Sequence, residues 1–363
     1  GDGHGADLVR ALRAREPDLS FTGIGGRRME EAGVEIIYPS HKISVVGIIE
    51  AFEKVPSIIK AYRRTRRGLR KTPLSAAVFI DFPDFNLRAA RVAKKAGVPV
   101  FYYISPQVWA WRKRRVHLIS RLVDLMMVIL PFEEPFYREQ GMEVVCVGHP
   151  LVDRMKNYIG GAHPPPSWEP RNPLIGLMPG SREREVANMF PLMLKAAEII
   201  KGEIPGARIK LMLAGRRGVE TIERHLDGSN LQMEIEEGPD YRVMAGFNFL
   251  ITASGTATLE AGLLRLPMII IYKGNFISWL VTKPLIDVPH IGLPNLIAGK
   301  RIVPELGQYK ATGERIAGQT LKVLKDREEY TRVKDALEHM AVLLGEGGAS
   351  ERAARAILSR LEI

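Results

Sequence analysis

Short apolar runs alternate along the chain with stretches whose apolar residues recur every three or four positions. That alternation predicts an α/β protein built on parallel sheets. In the first half, Ala76-Ala77-Val78-Phe79-Ile80 reads as a strand, and Leu87 to Ala96 as a helix stopped by Gly97. Val98 to Ile104 is the next strand, Arg112 to Val123 a helix, Leu125 to Leu130 a strand and Val144 to Val147 another. The pattern then lapses. From Asn157 to Pro173 there is no periodicity, and Pro164, Pro165 and Pro166 follow one another, so this segment is the expected linker. Beyond it, Leu174 to Met178 is a strand, Val186 to Ile200 a helix, and Arg208 to Leu213 and Phe249 to Thr252 strands. Ala257 to Leu264 follows as a helix and Met268 to Tyr272 as a strand, with no internal repeat or low-complexity segment. Two doubly wound, Rossmann-like domains facing a cleft are expected: residues 1–156, then a linker over 157–173, then 174–363 with helices at its end.

Composition narrows the class. At 363 residues, 46% hydrophobic and 26% charged, the chain has core enough for two domains and is not a disordered sequence. The single Cys146 excludes an intrachain disulfide and a multi-cysteine zinc site, and suits a reducing compartment. The longest apolar run, Leu125 to Phe132, contains a proline and is far short of the roughly 18–20 residues that span a bilayer. The opening Gly1-Asp2-Gly3-His4-Gly5 is no signal peptide. It reads as a glycine-rich loop, and such loops follow strands, so a strand upstream of Gly1 is expected. The net charge of +11 is local. Residues 60–121 hold 16 Lys or Arg against Asp81 and Asp84, a net +14, while the rest of the chain sums to −3. A concentrated basic region serves nucleic acid, anionic lipid or phosphorylated ligands.

Two loops in the second half have the form of phosphate cradles. Pro179-Gly180-Ser181-Arg182 joins a strand to a helix, where Gly180 lets backbone approach a ligand and Arg182 supplies a bidentate cation. An ordinary turn with Ser181 as cap and Glu185 as helper explains the same residues. Ser254-Gly255-Thr256 repeats the arrangement, and Glu260 lies one turn further, with both oxygens free to accept from a ribose diol. For a lone glutamate, a solvated helix face would be the simpler reading. No G-x-x-x-x-G-K-[ST] is present, which argues against an ATP-type loop.

In the first half, Asp81 emerges at the end of a strand in Ile80-Asp81-Phe82-Pro83-Asp84-Phe85-Asn86, placed to act as a general base, with Asp84 as the helix cap. Capping by either carboxylate is the simpler alternative. Trp109 and Trp111 precede Arg112-Lys113-Arg114-Arg115, a combination suited to an amphipathic anionic ligand or to lipid; core tryptophans beside a solvated basic face would look the same. No nucleic-acid-binding motif accompanies them, and no nucleic-acid partner is expected. Val45, Ile48, Ile49, Phe52, Val55, Ile58, Ile59 and Tyr62 recur at helical spacing and lead into six cations within residues 63–71. That is the pattern of an interfacial membrane element, with Pro56 kinking or dividing it, and equally of a core helix followed by a solvated charge run.

Taken in order, these stretches resemble the lipid-A-disaccharide synthase family, GT-B-type glycosyltransferases. The resemblance is carried by G-D-G-H-G-A-D-L-V-R-A-L (1–12), V-V-G-I-I-E (45–50), I-D-F-P-D-F-N (80–86) and Y-I-S-P-Q-V-W-A-W-R-K-R-R (103–115). It continues through L-P-F-E (130–133), V-G-H-P-L-V-D (147–153), P-G-S-R (179–182), A-S-G-T-A-T-L-E (253–260) and L-P-N-L-I-A-G (293–299). The family's opening loop reads G-E-A-S-G-D, of which Gly1-Asp2 remains. The resemblance implies inverting transfer of 2,3-diacylglucosamine from its UDP carrier to 2,3-diacylglucosamine 1-phosphate, in lipid A biosynthesis of Gram-negative bacteria. It makes Asp81 the essential carboxylate, Arg182 the essential arginine and Glu260 the ribose ligand, and puts Asn295 near the uridine. Gly180, Ser181, Ser254, Gly255 and Thr256 complete the donor site. Asp2, His4, Ile48, Ile49, Phe52, Ile58, Ile59, Asn86, Trp109 and Arg112 fall to the acceptor and membrane side. No metal and no cofactor are expected, since no D-x-D motif is present. The implied place is the cytoplasm, peripheral on the inner face of the inner membrane and bound to its anionic surface, with a homodimer left open. Two other readings stand beside it. Another UDP-sugar enzyme, a soluble glycosyltransferase or an epimerase, would need the donor loops but no apolar stripe. A non-catalytic peripheral membrane module would leave Asp81, Arg182 and Glu260 idle.

Overall fold

A computed structural model describes residues 1–43, 54–71, 73–109, 113–158, 166–215, 218–229, 231–238, 240–273 and 289–362. It divides into two units: Gly1–Asp153 with Glu346–Ile363, and Arg154–Gly345.

The first unit begins with α1 (Asp2–Arg13), β1 (Thr22–Gly25), α2 (Arg27–Glu31) and β2 (Glu35–Pro39). Gly3 and Gly5 therefore lie in a helix that Gly1 caps, and not in a loop, because Ala6, Leu8, Val9 and Leu12 form a buried stripe that holds the segment helical. Next come α3 (Val55–Lys71), β3 (Ala77–Ile80), α4 (Pro83–Lys95), β4 (Val100–Tyr103), α5 (Val116–Leu122), β5 (Leu125–Val128), α6 (Glu133–Arg138) and β6 (Val144–Cys146). β1 pairs with β2, and β3-β4-β5-β6 form a second sheet in that order, all parallel.

β4 and β5 are buried along their whole length, so both faces of the sheet must be covered. Tyr102, Met126 and Val128 pack on Ala61 of α3, Ala89 and Ala93 of α4 and Ile119 of α5. The opposite face, Phe101, Tyr103, Leu125 and Met127, packs on Leu8 and Leu12 of α1 and on Ala353, Ala354, Ile357 and Leu358 of the last helix in the chain. The second domain was expected to run to residue 363. The structure instead returns residues 346–363 to the first unit, where the last helix shares with α1 the cover of one face of β4 and β5. Asp153 fastens the return by accepting from the backbone N–H groups of Gly348 and Ala349, and Arg352 donates to the Val147 carbonyl at 2.8 Å.

The division between units falls inside α7 (Pro150–Met155). The second unit then runs β7 (Leu174–Met178), α8 (Glu183–Glu203), β8 (Arg208–Leu213), α9 (Val219–Leu226), β9 (Glu234–Glu237), α10 (Tyr241–Ala245), β10 (Phe249–Ala253), α11 (Thr256–Leu263) and β11 (Met268–Tyr272). It closes with α12 (Leu293–Ile297), β12 (Glu305–Gly307), α13 (Gly313–Lys325) and α14 (Arg327–Leu343), before α15 (Ala349–Leu361) returns to the first unit. Its parallel sheet has, among the described residues, the order β12-β11-β10-β7-β8-β9. Ile175, Leu177, Ile251 and Ile269 face Phe190 and Met193 of α8 and Ile316 and Ala317 of α13.

Ile357 is 2% exposed within the cover that α15 provides. Ile357→Ala should cost about 2–5 kcal/mol in denaturant unfolding, the range for a large-to-small core change. A loss under about 0.5 kcal/mol, as at an ordinary surface site, would show that the returning helix does not support the first unit.

Candidate functional site

In an open parallel sheet, loops leave at the carboxyl ends of the strands, and ligands bind where the strand order reverses. In the second unit the chain steps outward from β7 through β8 to β9, then returns to the other side of β7 and steps outward through β10 to β12. The reversal lies between β7 and β10, which pair directly, Thr252 level with Met178. Their loops are the two singled out in the sequence, so they leave one edge side by side, about 4.8 Å apart at the strands.

In the first loop the helix cap is Arg182, not Ser181. Glu185 accepts from the backbone N–H groups of Ser181 and Arg182 at 3.0 and 3.3 Å and from Arg182 Nη1 at 2.5 Å. Gly180 has φ +117, and a Cβ there would lie 2.7 Å from Glu185 Oε2, so glycine is required for the turn and for the carboxylate packed on it. Arg182 keeps 64% of its side chain exposed. In the second loop Gly255 caps α11, Gly255 and Thr256 are exposed, and the Ser254 hydroxyl donates to the Ile291 carbonyl at 3.4 Å. Glu260 sits one turn in and half-buried. It does not have both oxygens free, because Oε1 accepts from the Tyr241 hydroxyl at 3.0 Å. Burial pushes the Glu260 carboxyl up, against the Tyr241 hydrogen bond and the Arg154 charge. Burial and the Glu260 charge push the Tyr241 phenol up to about 12, and Tyr158 packs edge-on to its ring at 5.4 Å.

Asn295 was expected near the uridine. It is fully buried and saturated: Nδ2 donates to the Val303 carbonyl at 3.0 Å and to Glu305 at 2.6 Å, and Oδ1 accepts from Ile302 and Val303 N–H. A carboxamide with all four bonds filled inside the protein has none left for a ligand. Its work is to hold Glu305, which accepts from Ile291 and Gly292 N–H and so fixes the segment against which Ser254 rests.

The first unit presents the end of β3. Asp81 and Phe82 both take left-handed backbone conformations, with φ of 48° and 43°. Two such residues in succession, neither glycine, store strain of order 1–3 kcal/mol each and persist only where neighbours enforce them. Asn86 Nδ2 donates to the carbonyls of Ile80 and Asp81 at 3.1 and 2.6 Å, and the Tyr102 hydroxyl donates to the same Asp81 carbonyl at 2.6 Å. Pro83 begins α4, and Phe82 stacks on the buried Phe85 with ring centroids 5.8 Å apart. The Asp81 carboxylate is exposed and, among the described residues, has no hydrogen-bond or ion-pair partner. Asp84 was expected to cap α4; instead it lies inside the first turn and pairs with Arg115 at 2.8 Å. Asn86, expected on the acceptor side, therefore sets the turn that aims Asp81.

Trp109 faces neither lipid nor solvent. It is 7% exposed, edge-on to Phe132 at 4.8 Å, and its indole N–H donates to Glu133 at 2.9 Å. Glu133 itself is 2% exposed and also accepts from the Ser105 hydroxyl at 2.5 Å and from Ile129 and Leu130 N–H. Sequence reasoning gave this residue no role of its own. The available signal was an acid immediately after the apolar run 125–132, where a charge needs partners. Burial pushes its carboxyl up while these four donors oppose the shift. Asp2 is spent structurally as well, accepting from Gly26, Arg28 and Met29 N–H at the start of α2; His4 lies half-buried in α1.

On α3, Ile58 and Tyr62 pack on the core, whereas Val55 and Ile59 are 43% and 45% exposed. Pro56 lies in the first turn, where proline is tolerated, and does not kink the described helix. Arg63, Arg66, Arg67 and Arg70 are exposed, while Arg64 lies over the Tyr38 ring and bonds the Ile37 carbonyl. Ile48, Ile49, Phe52 and Arg112 lie outside the described residues. Among the described residues no group of three His, Cys, Asp or Glu is arranged to hold a metal, and no helix is long and apolar enough to cross a membrane.

The model of one protein family, described as Lipid-A-disaccharide synthetase, matches residues 1–358. The chain belongs to the lipid-A-disaccharide synthase family. It is 42% identical to the lipid-A-disaccharide synthase of Geobacter metallireducens over 363 residues, covering 99% of this chain and 94% of that protein. It is 43% identical to that of Geobacter sulfurreducens, with the same coverage. Membership makes it a glycosyltransferase of lipid A biosynthesis. A solved structure of S. aureus MnaA with UDP superposes with a TM-score of 0.66 at 14% identity, covering 98% of this chain and 93% of that one. That likeness concerns the fold, the GT-B type expected from the sequence.

Removing the Glu133 carboxylate leaves four donors in the core of this synthase-family chain without an acceptor. Glu133→Ala should cost about 3–5 kcal/mol, the range for breaking a buried charged network, and shift tryptophan emission to the red. A loss under about 1 kcal/mol with unchanged emission would show that the network does not hold the loop over residues 104–109.

Proposed function

We propose that the protein joins 2,3-diacylglucosamine from its UDP carrier to 2,3-diacylglucosamine 1-phosphate, with inversion at the anomeric carbon. The observation that carries this reading is the pair of loops flanking the reversal between β7 and β10, which supply an exposed arginine, a helix N-terminus and a carboxylate to one edge. The acceptor's 6-oxygen attacks the donor's anomeric carbon while the bond from that carbon to the diphosphate breaks and UDP departs. Asp81 takes the hydroxyl proton; its unpartnered carboxylate and enforced turn suit a group kept for a ligand. Charge grows on the leaving diphosphate, where Arg182 and the N–H groups of the loops stabilise it. The ribose hydroxyls donate to Glu260, whose second oxygen is not taken by Tyr241.

These roles separate kinetically. Asp81→Asn should lower turnover by about 10²–10⁴, the typical worth of a general base, with UDP affinity retained. Arg182→Ala should lower kcat by about 10²–10³, because its contact strengthens as charge develops. Glu260→Gln should mainly raise the donor KM, because the ribose does not change during reaction. Near-normal kcat in Asp81→Asn removes it from the mechanism; unchanged UDP affinity and turnover in both donor-side variants removes the nucleotide from these loops.

The acyl chains and the 1-phosphate call for an anionic membrane surface, and α3 offers one face to it, with Val55 and Ile59 exposed beside Arg63, Arg66, Arg67 and Arg70. The inner face of the inner membrane is the matching location. At about 1 kcal/mol per basic residue near such a surface, reversing these four arginines to glutamate should reduce partition onto phosphatidylglycerol-containing vesicles by about 10³-fold or more, with the thermal melt unchanged. Unaltered binding would exclude α3 from the contact.

A further inference from the structure

Gln308 is the first residue beyond β12, and two features set it apart. It holds a left-handed backbone conformation, φ 54°, and although it is 92% buried, its Nε2 has no hydrogen-bond partner among the described residues. Buried amide donors are paired in nearly all folded proteins, so an unpaired one needs an explanation. Neither the Asn295–Glu305 network nor the turn of residues 308–310 uses the group; the turn bonds only its backbone carbonyl, from Ala311 N–H. The strands show where it stands. Gly307 is level with Tyr272 of β11, and Ser254 N–H reaches the Ile271 carbonyl just before it, so Gln308 leaves the carboxyl edge within one residue of the level of Ser254. The two exits are two strand spacings apart, about 10 Å. Ile291 lies between them: its carbonyl accepts from the Ser254 hydroxyl, and a Cβ on Gly307 would lie 3.5 Å from its Cδ1.

We propose that the Gln308 carboxamide is a donor-site contact, giving its N–H to an oxygen acceptor of the bound nucleotide-sugar. The inference rests on the donor reading above and adds a third exit, β12, to the two loops already placed. A neutral amide suits an uncharged or shared oxygen, a sugar hydroxyl or a phosphoryl oxygen, and complements the charge that Arg182 supplies.

The test uses the full chain with Gln308→Leu, which keeps the bulk and removes the polar atoms, and Gln308→Met as a second variant of similar length. Thermal melting, calorimetric titration of UDP and the KM for UDP-diacylglucosamine are measured beside the native protein and Glu260→Gln. An amide that waits for ligand is a burden to the free protein, so Tm should stay level or rise. UDP affinity, the donor KM or both should worsen about tenfold, the worth of one hydrogen bond. Loss in both places the contact on the nucleotide; loss in KM alone places it on the sugar. A lower Tm with unchanged affinity and KM overturns the inference, since the amide is then held within the protein by water. If Glu260→Gln weakens UDP and neither Gln308 variant changes affinity or KM, the inference falls and the donor reading stands. If UDP fails to bind the native protein, both fall.

Discussion

Every strand pairing among the described residues is parallel, and from that constraint follow both the cover of the sheets and the edge at which their loops gather. A parallel sheet buries both faces, so each unit needs two layers of helices. In the first unit this need brings the chain back from residue 346 to lay α15 on Phe101, Tyr103, Leu125 and Met127. Parallel strands also send every strand-to-helix loop to one edge, where helix N-termini with unpaired N–H groups collect. Such an edge suits a phosphorylated ligand without a dedicated domain for it.

The edge loops are then set by carboxylates. Glu133 gathers Ser105, Trp109, Ile129 and Leu130; Glu305 gathers Ile291, Gly292 and Asn295; Glu185 gathers Ser181 and Arg182. Each accepts several backbone or side-chain donors, which fixes a loop that has no sheet or helix ladder of its own. The strained turn at Asp81 is held in a related way, by Asn86 and Tyr102 on one carbonyl. Residues that look in the sequence like ligand-binding groups thus split into those spent inside the protein, such as Asn295 and Asp2, and those still open to solvent, such as Asp81 and Arg182, the latter already paired with Glu185.

Much of this was legible before the structure. β7, β10 and β11 are nearly continuous apolar runs because both their faces are buried, whereas β8 becomes so only after Arg208 and Lys210; the sequence places all four within a residue of their observed ends. β1, β2, β9 and β12 went unseen: Thr-Gly-Ile-Gly, Glu-Ile-Glu-Glu and Glu-Leu-Gly are short and largely polar, and β2, Glu-Ile-Ile-Tyr-Pro, holds only three apolar residues before its proline. α4 begins at Pro83, earlier than its apolar periodicity suggests, because proline and two left-handed residues make the turn. The partner of an amphipathic helix is not written in its own period, so α15 could be recognised as a helix but not assigned to its unit. Asn295 and Trp109 read in the sequence as ligand-facing groups and are bonded inside the protein, because residue type shows what a side chain can bond and only packing shows whether the bond is already made.

The central claim is a chemical one, transfer of a diacylated sugar from UDP onto a second, phosphorylated diacyl sugar. Its most direct test is mass spectrometry of the product made from UDP-2,3-diacylglucosamine and 2,3-diacylglucosamine 1-phosphate, with the anomeric linkage read by nuclear magnetic resonance. The account predicts a tetraacylated disaccharide 1-phosphate, an inverted β linkage and UDP released mole for mole. Release of UDP with free diacylglucosamine, or an epimerised sugar still joined to UDP, would contradict it.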